Sequence, residues 1–240
     1  MNRLASGGAH LRRDWRHVEL RFEGAVTQTR MLRWAPDVLC VPYTRTMLAA
    51  LWLQPAPATI GILGLGGGAQ AKFCHRHLRQ ARIEAVECDA GVLALRGAFR
   101  IPADDARLHV VHADGGDWLA AHRNAFDLLL VDAYDPGGIP AHLSGQAFYD
   151  RCQAALTSTG VMATNYYQVD AAAHHARMRQ AFAGRCLLLP EPAMSNQVGF
   201  AWNGTPRPLP PAQVLRGLPW RARWQLRAGF ERLAKALSGL

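Results

Sequence analysis

The 240-residue chain has no run of about 18 apolar residues, so no membrane-spanning helix is expected. The basic stretch Met1 to Arg13 lacks the apolar core of a secretion signal, and a cytoplasmic setting is the expectation. Cysteine is sparse and irregularly spaced. Cys40, Cys74, Cys88, Cys152 and Cys186 are odd in number with no close pair, which argues against a disulfide framework or a zinc cluster and for buried free thiols. His142, His174 and His175 lack partners at metal-ligand spacing, so no metal is expected. Internal repeats, long disordered segments and nucleic-acid-binding motifs are also missing.

Charge is present but unevenly placed. The net +9 divides into +4 over residues 1–33 and +6 over residues 207–240, which leaves −1 for everything between them. Solvated arginines at the two ends account for this, and no nucleic-acid partner is expected.

The apolar–polar pattern gives three regions. Residues 1–54 form an N-terminal hairpin region with a linking helix. In it Val18–Glu23 and Val26–Leu32 read as strands, Val38–Val41 as a third short strand, and Tyr43–Leu53 as a helix with Met47, Leu48, Leu51 and Trp52 on one face. Residues 55–205 alternate strand and helix. The strands expected are Thr59–Leu65, Ile83–Glu87, Leu108–His112, Phe126–Val131, Gly160–Asn165, Cys186–Leu189 and Val198–Trp202. Helices are expected over Ala71–Ala81, Gly91–Phe99, Gly116–His122, Ser144–Leu156 and Ala171–Phe182. Such alternation predicts an α/β fold, a Rossmann-like, doubly wound and mostly parallel sheet. Residues 206–240 are a Pro-rich link and a basic helix over 220–238, whose stripe Leu226, Phe230, Leu233 and Leu237 is expected to pack on the body or on a second subunit.

The chain is organised around Ile60–Gln70, where an apolar strand breaks into Gly64, Gly66, Gly67 and Gly68 before a helix. Glycines there permit a tight turn and close approach of a ligand to the backbone. Ligands of open α/β sheets bind at the carboxyl ends of strands, and acids stand at the later strand ends. Glu87 follows Gly68 by 19 residues, where a carboxylate can accept ribose hydroxyls. Asp114 can accept from an exocyclic adenine amine. Asp132 and Asp135 follow the buried run Leu128–Val131, and a carboxylate there can orient an amine, take its proton and attract a sulfonium. Tyr43 and Tyr134 are pocket walls or plain core residues. A nicotinamide enzyme is a rival, because Gly64, Gly66 and Ala69 with a later acid also satisfy the dinucleotide fingerprint; it leaves Asp114, Asp132 and Asp135 unexplained.

In these motifs the sequence resembles the spermidine synthase family, aminopropyltransferases built on the class I methyltransferase fold. The similarity runs from about Val26 to Trp202. It is carried by Gln28, Tyr43, Gly66-Gly67-Gly68, Glu87-Cys88-Asp89, Asp114-Gly115, Phe126 to Pro136, and Ser195 to Phe200. The resemblance implies that Glu87 holds the ribose of decarboxylated S-adenosylmethionine and Asp114 its adenine, with Gly115 beside it. Asp132 would be the catalytic base and Asp135 its companion. Gln28 would line the donor pocket, and Tyr43, with Tyr134, the acceptor side. An amine acceptor and a homodimer are implied as well. Two positions depart from the family. Ala69-Gln70-Ala71 stands where the family has Asp-Gly-Gly, whose Asp holds the donor's amine, and Ala193-Met194 replaces Tyr-Pro. An ammonium losing a carboxylate partner costs on the order of 2–4 kcal/mol. Gln70 is the available substitute. A neutral substitute suits S-adenosylmethionine itself as donor, so a methyltransferase and a non-catalytic nucleoside-binding protein stay open beside aminopropyl transfer.

Overall fold

The computed structural model describes residues 10–21, 29–135, 137–206 and 208–239. Three short strands, β1 (His10–Arg13), β2 (His17–Arg21) and β3 (Thr29–Leu32), form an antiparallel sheet in the order β1-β2-β3. The expected hairpin is the β2–β3 pair, in register from His17 opposite Leu32 to Leu20 opposite Thr29; β1 had no alternation to announce it. Residues 22–28, including Gln28, lie outside the described residues. No strand forms over Val38–Val41. The backbone of Leu39 is engaged instead by side chains, its N–H donating to Gln225 Oε1 and its carbonyl accepting from Arg45 Nε, both at 2.7 Å. With no neighbouring strand, its apolar side chain is buried rather than paired. Helix α1 (Pro42–Met47) tightens into a 3₁₀ turn over Leu48–Trp52, and every residue of that turn is buried.

The main sheet has seven strands: β4 (Thr59–Leu63), β5 (Arg82–Glu87), β6 (Leu108–His112), β7 (Phe126–Val131), β8 (Leu156–Tyr166), β9 (Cys186–Pro190) and β10 (Gln197–Trp202). Their order is β6-β5-β4-β7-β8-β10-β9, and only β10 runs against its neighbours. Between them run α2 (Ala69–His77), α3 (Ala90–Ala94), α4 (Gly115–Ala120), α5 (Gln146–Ala155) and α6 (Ala171–Ala181).

Alternate side chains of the central strands divide into two cores. Ile60, Ile62, Leu128 and Leu130 join the cluster that also holds Phe73 of α2. Leu63, Leu129 and Val131 join Trp118 of α4, Phe148 of α5 and Met178 of α6. Both faces are therefore covered, which is why Leu128–Val131 reads as an unbroken apolar run. Strand order reverses between β4 and β7, and the site opens there.

The Pro-rich link contains a helix the sequence reading did not anticipate, α7 (Pro211–Arg216), started by its own prolines. Helix α8 (Trp220–Leu237) buries Leu226, Phe230 and Leu233 against the body. Gly229 permits that approach, since a Cβ there would sit 3.2 Å from Ala49 Cβ. The opposite face carries Trp220 and Trp224, both exposed, with the Arg45 guanidinium 5.4 Å from the Trp224 ring centre. Among the described residues no helix is long and apolar enough to cross a membrane, and all five cysteines are free.

Candidate active site

The turn after β4 is held by backbone bonds to both neighbouring strands. Gly64 N–H donates to Val86 O at 3.0 Å, and Asp132 N–H donates to Leu63 O at 2.8 Å. Gly64 has φ +92°, and a Cβ there would lie 2.2 Å from the Asp132 carbonyl oxygen, so the β4 and β7 ends meet only because this residue lacks one. The amides of Leu65 and Gly66 both donate to Glu87 Oε2, at 3.1 and 3.2 Å, while Asp89 N–H donates to Glu87 Oε1 at 3.0 Å. Three of the roughly four acceptor positions of that carboxylate are thus taken, and one stays open to a ligand hydroxyl.

Gly67 and Gly68 do not line the cleft. Their amides donate to Thr29 Oγ1 and Leu65 O, and a Cβ at either would run into Thr29 or Ile101 at 2.1 and 2.5 Å. Gly67 packs against the N-terminal sheet and Gly68 against Ile101, so the cleft lining expected of them is not where their Cα atoms face.

Around this turn is a cleft of about 490 Å³, lined by Gly64, Gly66, Glu87, Asp114, Gly115 and Asp132, with Tyr43, Tyr134, Asp135 and Gln70. Asp114 caps α4. Its Oδ1 accepts from the amides of Gly116 and Asp117 at 2.8 and 3.1 Å, and its Oδ2 pairs with His142 Nε2 at 2.8 Å. Burial raises the Asp114 pKa, but the helix amides and His142 outweigh it and hold the carboxyl below its ordinary value. Gly115 lets the cap approach the sheet, with Leu63 3.0 Å from where a Cβ would be. Asp135 lies at the exposed rim, where its carboxylate accepts from Gly137 N–H at 2.7 Å.

Asp132 is held by two side chains. Tyr43 OH donates to its Oδ2 at 2.8 Å and Asn165 Nδ2 to its Oδ1 at 2.9 Å. Burial, opposed by these two bonds, pushes its pKa up to about 6. Burial and the adjacent Asp132 charge raise the Tyr43 phenol well above its ordinary value, so it stays a donor. Asn165, at the end of β8, is itself held by Asn196 Nδ2 at 2.8 Å. Tyr134 OH donates to Asn165 O at 3.0 Å.

Ala69 and Met194 border the cleft. Gln70 is buried, its Nε2 3.1 Å from Met47 Sδ and its Oε1 without a partner among the described residues. Sequence reading missed Asn165, Asn196 and His142. A polar residue closing the apolar run of β8 was the available signal for Asn165. His142 had none, being 28 residues from Asp114. Among the described residues no group of three His, Cys, Asp or Glu is placed to hold a metal.

A mostly parallel seven-stranded sheet with one reversed strand, and a cleft at the ends of its first strands, defines a protein of the class I methyltransferase fold. The profile of the spermine/spermidine synthase domain matches residues 43–187. A polyamine aminopropyltransferase of Neisseria meningitidis serogroup A is 31% identical over 176 residues, covering 72% of this chain and 67% of that protein. A probable spermidine synthase of Corynebacterium glutamicum superposes with a TM-score of 0.71 at 16% identity, over 87% of this chain and 82% of that one. A spermidine synthase in complex with the transition-state analogue AdoDATO gives 0.64 at 18%, over 91% and 88%. The chain belongs to the spermine/spermidine synthase family.

Proposed function

We propose that the protein transfers an aminopropyl group from decarboxylated S-adenosylmethionine to an amine. One observation carries this reading. Glu87, Asp89, Asp114, Asp132 and Asp135 all line the cleft, while no described lining residue is Lys or Arg, in a chain of net charge +9. A hollow of that sign in a basic molecule suits a cationic sulfonium and an amine. It disfavours the pyrophosphate of a dinucleotide. It equally disfavours the carboxylate of S-adenosylmethionine, so the methyltransferase reading loses ground although Ala69 supplies no acid.

In the reaction the acceptor nitrogen attacks the aminopropyl carbon bound to sulfur. The C–S bond breaks, its electron pair stays on sulfur as a neutral thioether, and the proton released by the new ammonium goes to Asp132. Tyr43 and Asn165 fix that carboxylate, and Glu87 and Asp114 hold the nucleoside, so positioning supplies most of the rate. Gln70 takes the place of the missing family carboxylate toward the donor's amine. A homodimer acting in the cytoplasm belongs to the same reading and rests on the family resemblance alone.

Incubation of the protein with each donor and an amine such as putrescine, followed by mass analysis of products, tests the proposal. Aminopropylated amine is expected from the decarboxylated donor; methylated product from S-adenosylmethionine, or no product from either donor with any amine, overturns it. Glu87→Ala is expected to weaken nucleoside binding by roughly 10- to 150-fold, since a hydrogen bond to a charged group contributes about 1.5–3 kcal/mol and the loop amides lose their anchor. Calorimetry measures this, and unchanged affinity removes Glu87 from the site.

A further inference from the structure

The two groups that hold Asp132 trace back to one buried cluster. Tyr43 sits on α1, and three residues along that helix Thr46 donates its hydroxyl to Glu191 Oε2. Asn165 is held by Asn196, which ends the turn that Glu191 begins. That turn is closed by Glu191 N–H donating to Asn196 O at 2.9 Å, and Glu191 Oε1 accepts from Ala193 N–H at 3.3 Å. Both supports of Asp132 therefore meet at the Thr46–Glu191 contact. Arg232 of α8 joins them, its Nη2 2.6 Å from Thr46 Oγ1 and 3.5 Å from Glu191 Oε2. Thr46 and Glu191 are 3% and 7% exposed, so Glu191 is a buried carboxylate and Arg232 is its compensating cation. Glu191 and Arg232 both lie beyond the span that the family profile matches.

We propose that Arg232, acting through Glu191 and Thr46, is a positioning residue for Asp132, so that the C-terminal helix sets the alignment of the catalytic carboxylate. The inference rests on the reading of Asp132 as the base. Its logic is mechanical. Removal of Arg232 leaves a buried anion with only the Thr46 hydroxyl and the Ala193 amide as donors, and the anion is relieved by shifting toward water, which draws the turn that carries it off α1. That movement spreads α1 from the Glu191–Asn196 turn and lengthens the Tyr43 and Asn165 bonds to Asp132. A displacement of about 1 Å at a reacting group costs on the order of 100-fold in rate. Nucleoside contacts at Glu87 and Asp114 come from other strand ends and stay in place.

The test compares Arg232→Met, Arg232→Lys and the double variant Arg232→Met/Glu191→Met with the unmodified chain, by kcat, donor affinity and the pH dependence of kcat. Arg232→Met is expected to lower kcat by roughly 10- to 100-fold, with donor affinity within about threefold, and to move the acid limb of the profile to higher pH. The shift has that sign because both bonds to Asp132 stabilise its ionised form. The titratable groups facing Asp132 are Tyr43 and Tyr134, both raised phenols that stay neutral through that range. Arg232→Lys is expected to recover most of kcat. The double variant removes the buried anion together with its cation and keeps the fold if Arg232→Met alone does not. It is expected to melt like the unmodified chain yet keep the low kcat and the shifted limb. Unmodified kcat and profile in the double variant overturn the proposal. Asp132→Asn run alongside separates the two readings: turnover surviving there overturns the base, whereas a dead Asp132→Asn beside fully active clamp variants overturns the clamp alone.

Discussion

Asp132→Asn is expected to lower amine-dependent turnover by roughly 10²- to 10⁴-fold while leaving nucleoside affinity within about tenfold, because a positioned general base contributes on that order and the proposed nucleoside contacts lie elsewhere. The substitution is nearly isosteric. The new amide oxygen accepts from Asn165, and its NH₂ donates to the Tyr43 oxygen, whose hydroxyl proton turns away. As the proposed base, Asp132 must be ionised, so kcat/KM is expected to fall as pH drops through about 6, tenfold per unit below it. Stability moves the other way. A carboxyl whose folded pKa is raised to about 6, against an ordinary value near 4, binds its proton more tightly in the folded chain. The fold is therefore most favoured while Asp132 is protonated and loses on the order of 2–3 kcal/mol as pH rises from about 4 to 6. Asp132→Asn removes that penalty, so the inactive variant is expected to melt higher than the parent at pH 7.5 and no higher at pH 4. Wild-type turnover would reject Asp132 as the base; an unchanged melting temperature at pH 7.5 would reject the burial argument.

Gly64→Ala is expected to be the most damaging single methyl in the molecule. Its φ of +92° strains any L side chain, and the new Cβ would stand 2.2 Å from the Asp132 carbonyl oxygen and 2.8 Å from its carbon. Both are backbone atoms, so no rotamer change relieves the overlap. Asp132 cannot retreat without breaking its amide bond to Leu63 O. Backbone strain of about 1–3 kcal/mol adds to the overlap, for a total of roughly 4 kcal/mol or more. For a chain of this length that is a drop of about 8–16 °C in melting temperature. The fraction that folds is expected to be inactive, because the carboxylate moves with its own carbonyl. Gly97→Ala is the control, since a Cβ there meets nothing within 4 Å. Equal melting temperatures for the two variants would show that the β4–β7 junction has slack that the geometry denies.

Much of this was legible in the sequence, for identifiable reasons. Phe126–Val131 forms a strand with the bounds its apolar run suggests, because β4 and β8 flank it on both sides, and Leu108–His112 does so as an edge strand paired with β5 alone. Glu87, Asp114 and Asp132 share a cleft beside Gly66, since the carboxyl ends of adjacent parallel strands necessarily lie together. What stayed hidden depended on distant contacts. Leu39 looked like a strand residue because only Gln225, 186 positions away, shows that its amide is satisfied by a side chain. Asn196 and Asn165 meet only once β10 has folded back antiparallel on β8. The run of glycines announced a turn, but not that Gly67 packs on Thr29 of the N-terminal sheet and Gly68 on Ile101.

The segregation of charge has a consequence for how a ligand arrives. A sulfonium or ammonium ion is repelled at long range by a chain of net charge +9, and the acids lining the cleft attract it only at short range. Dissolved salt damps the distant part more than the near part, because the screening length at 0.1 M is about 10 Å. Moderate ionic strength should therefore hasten the capture of a cation here, opposite to its usual effect on a positively charged ligand entering an acidic cavity.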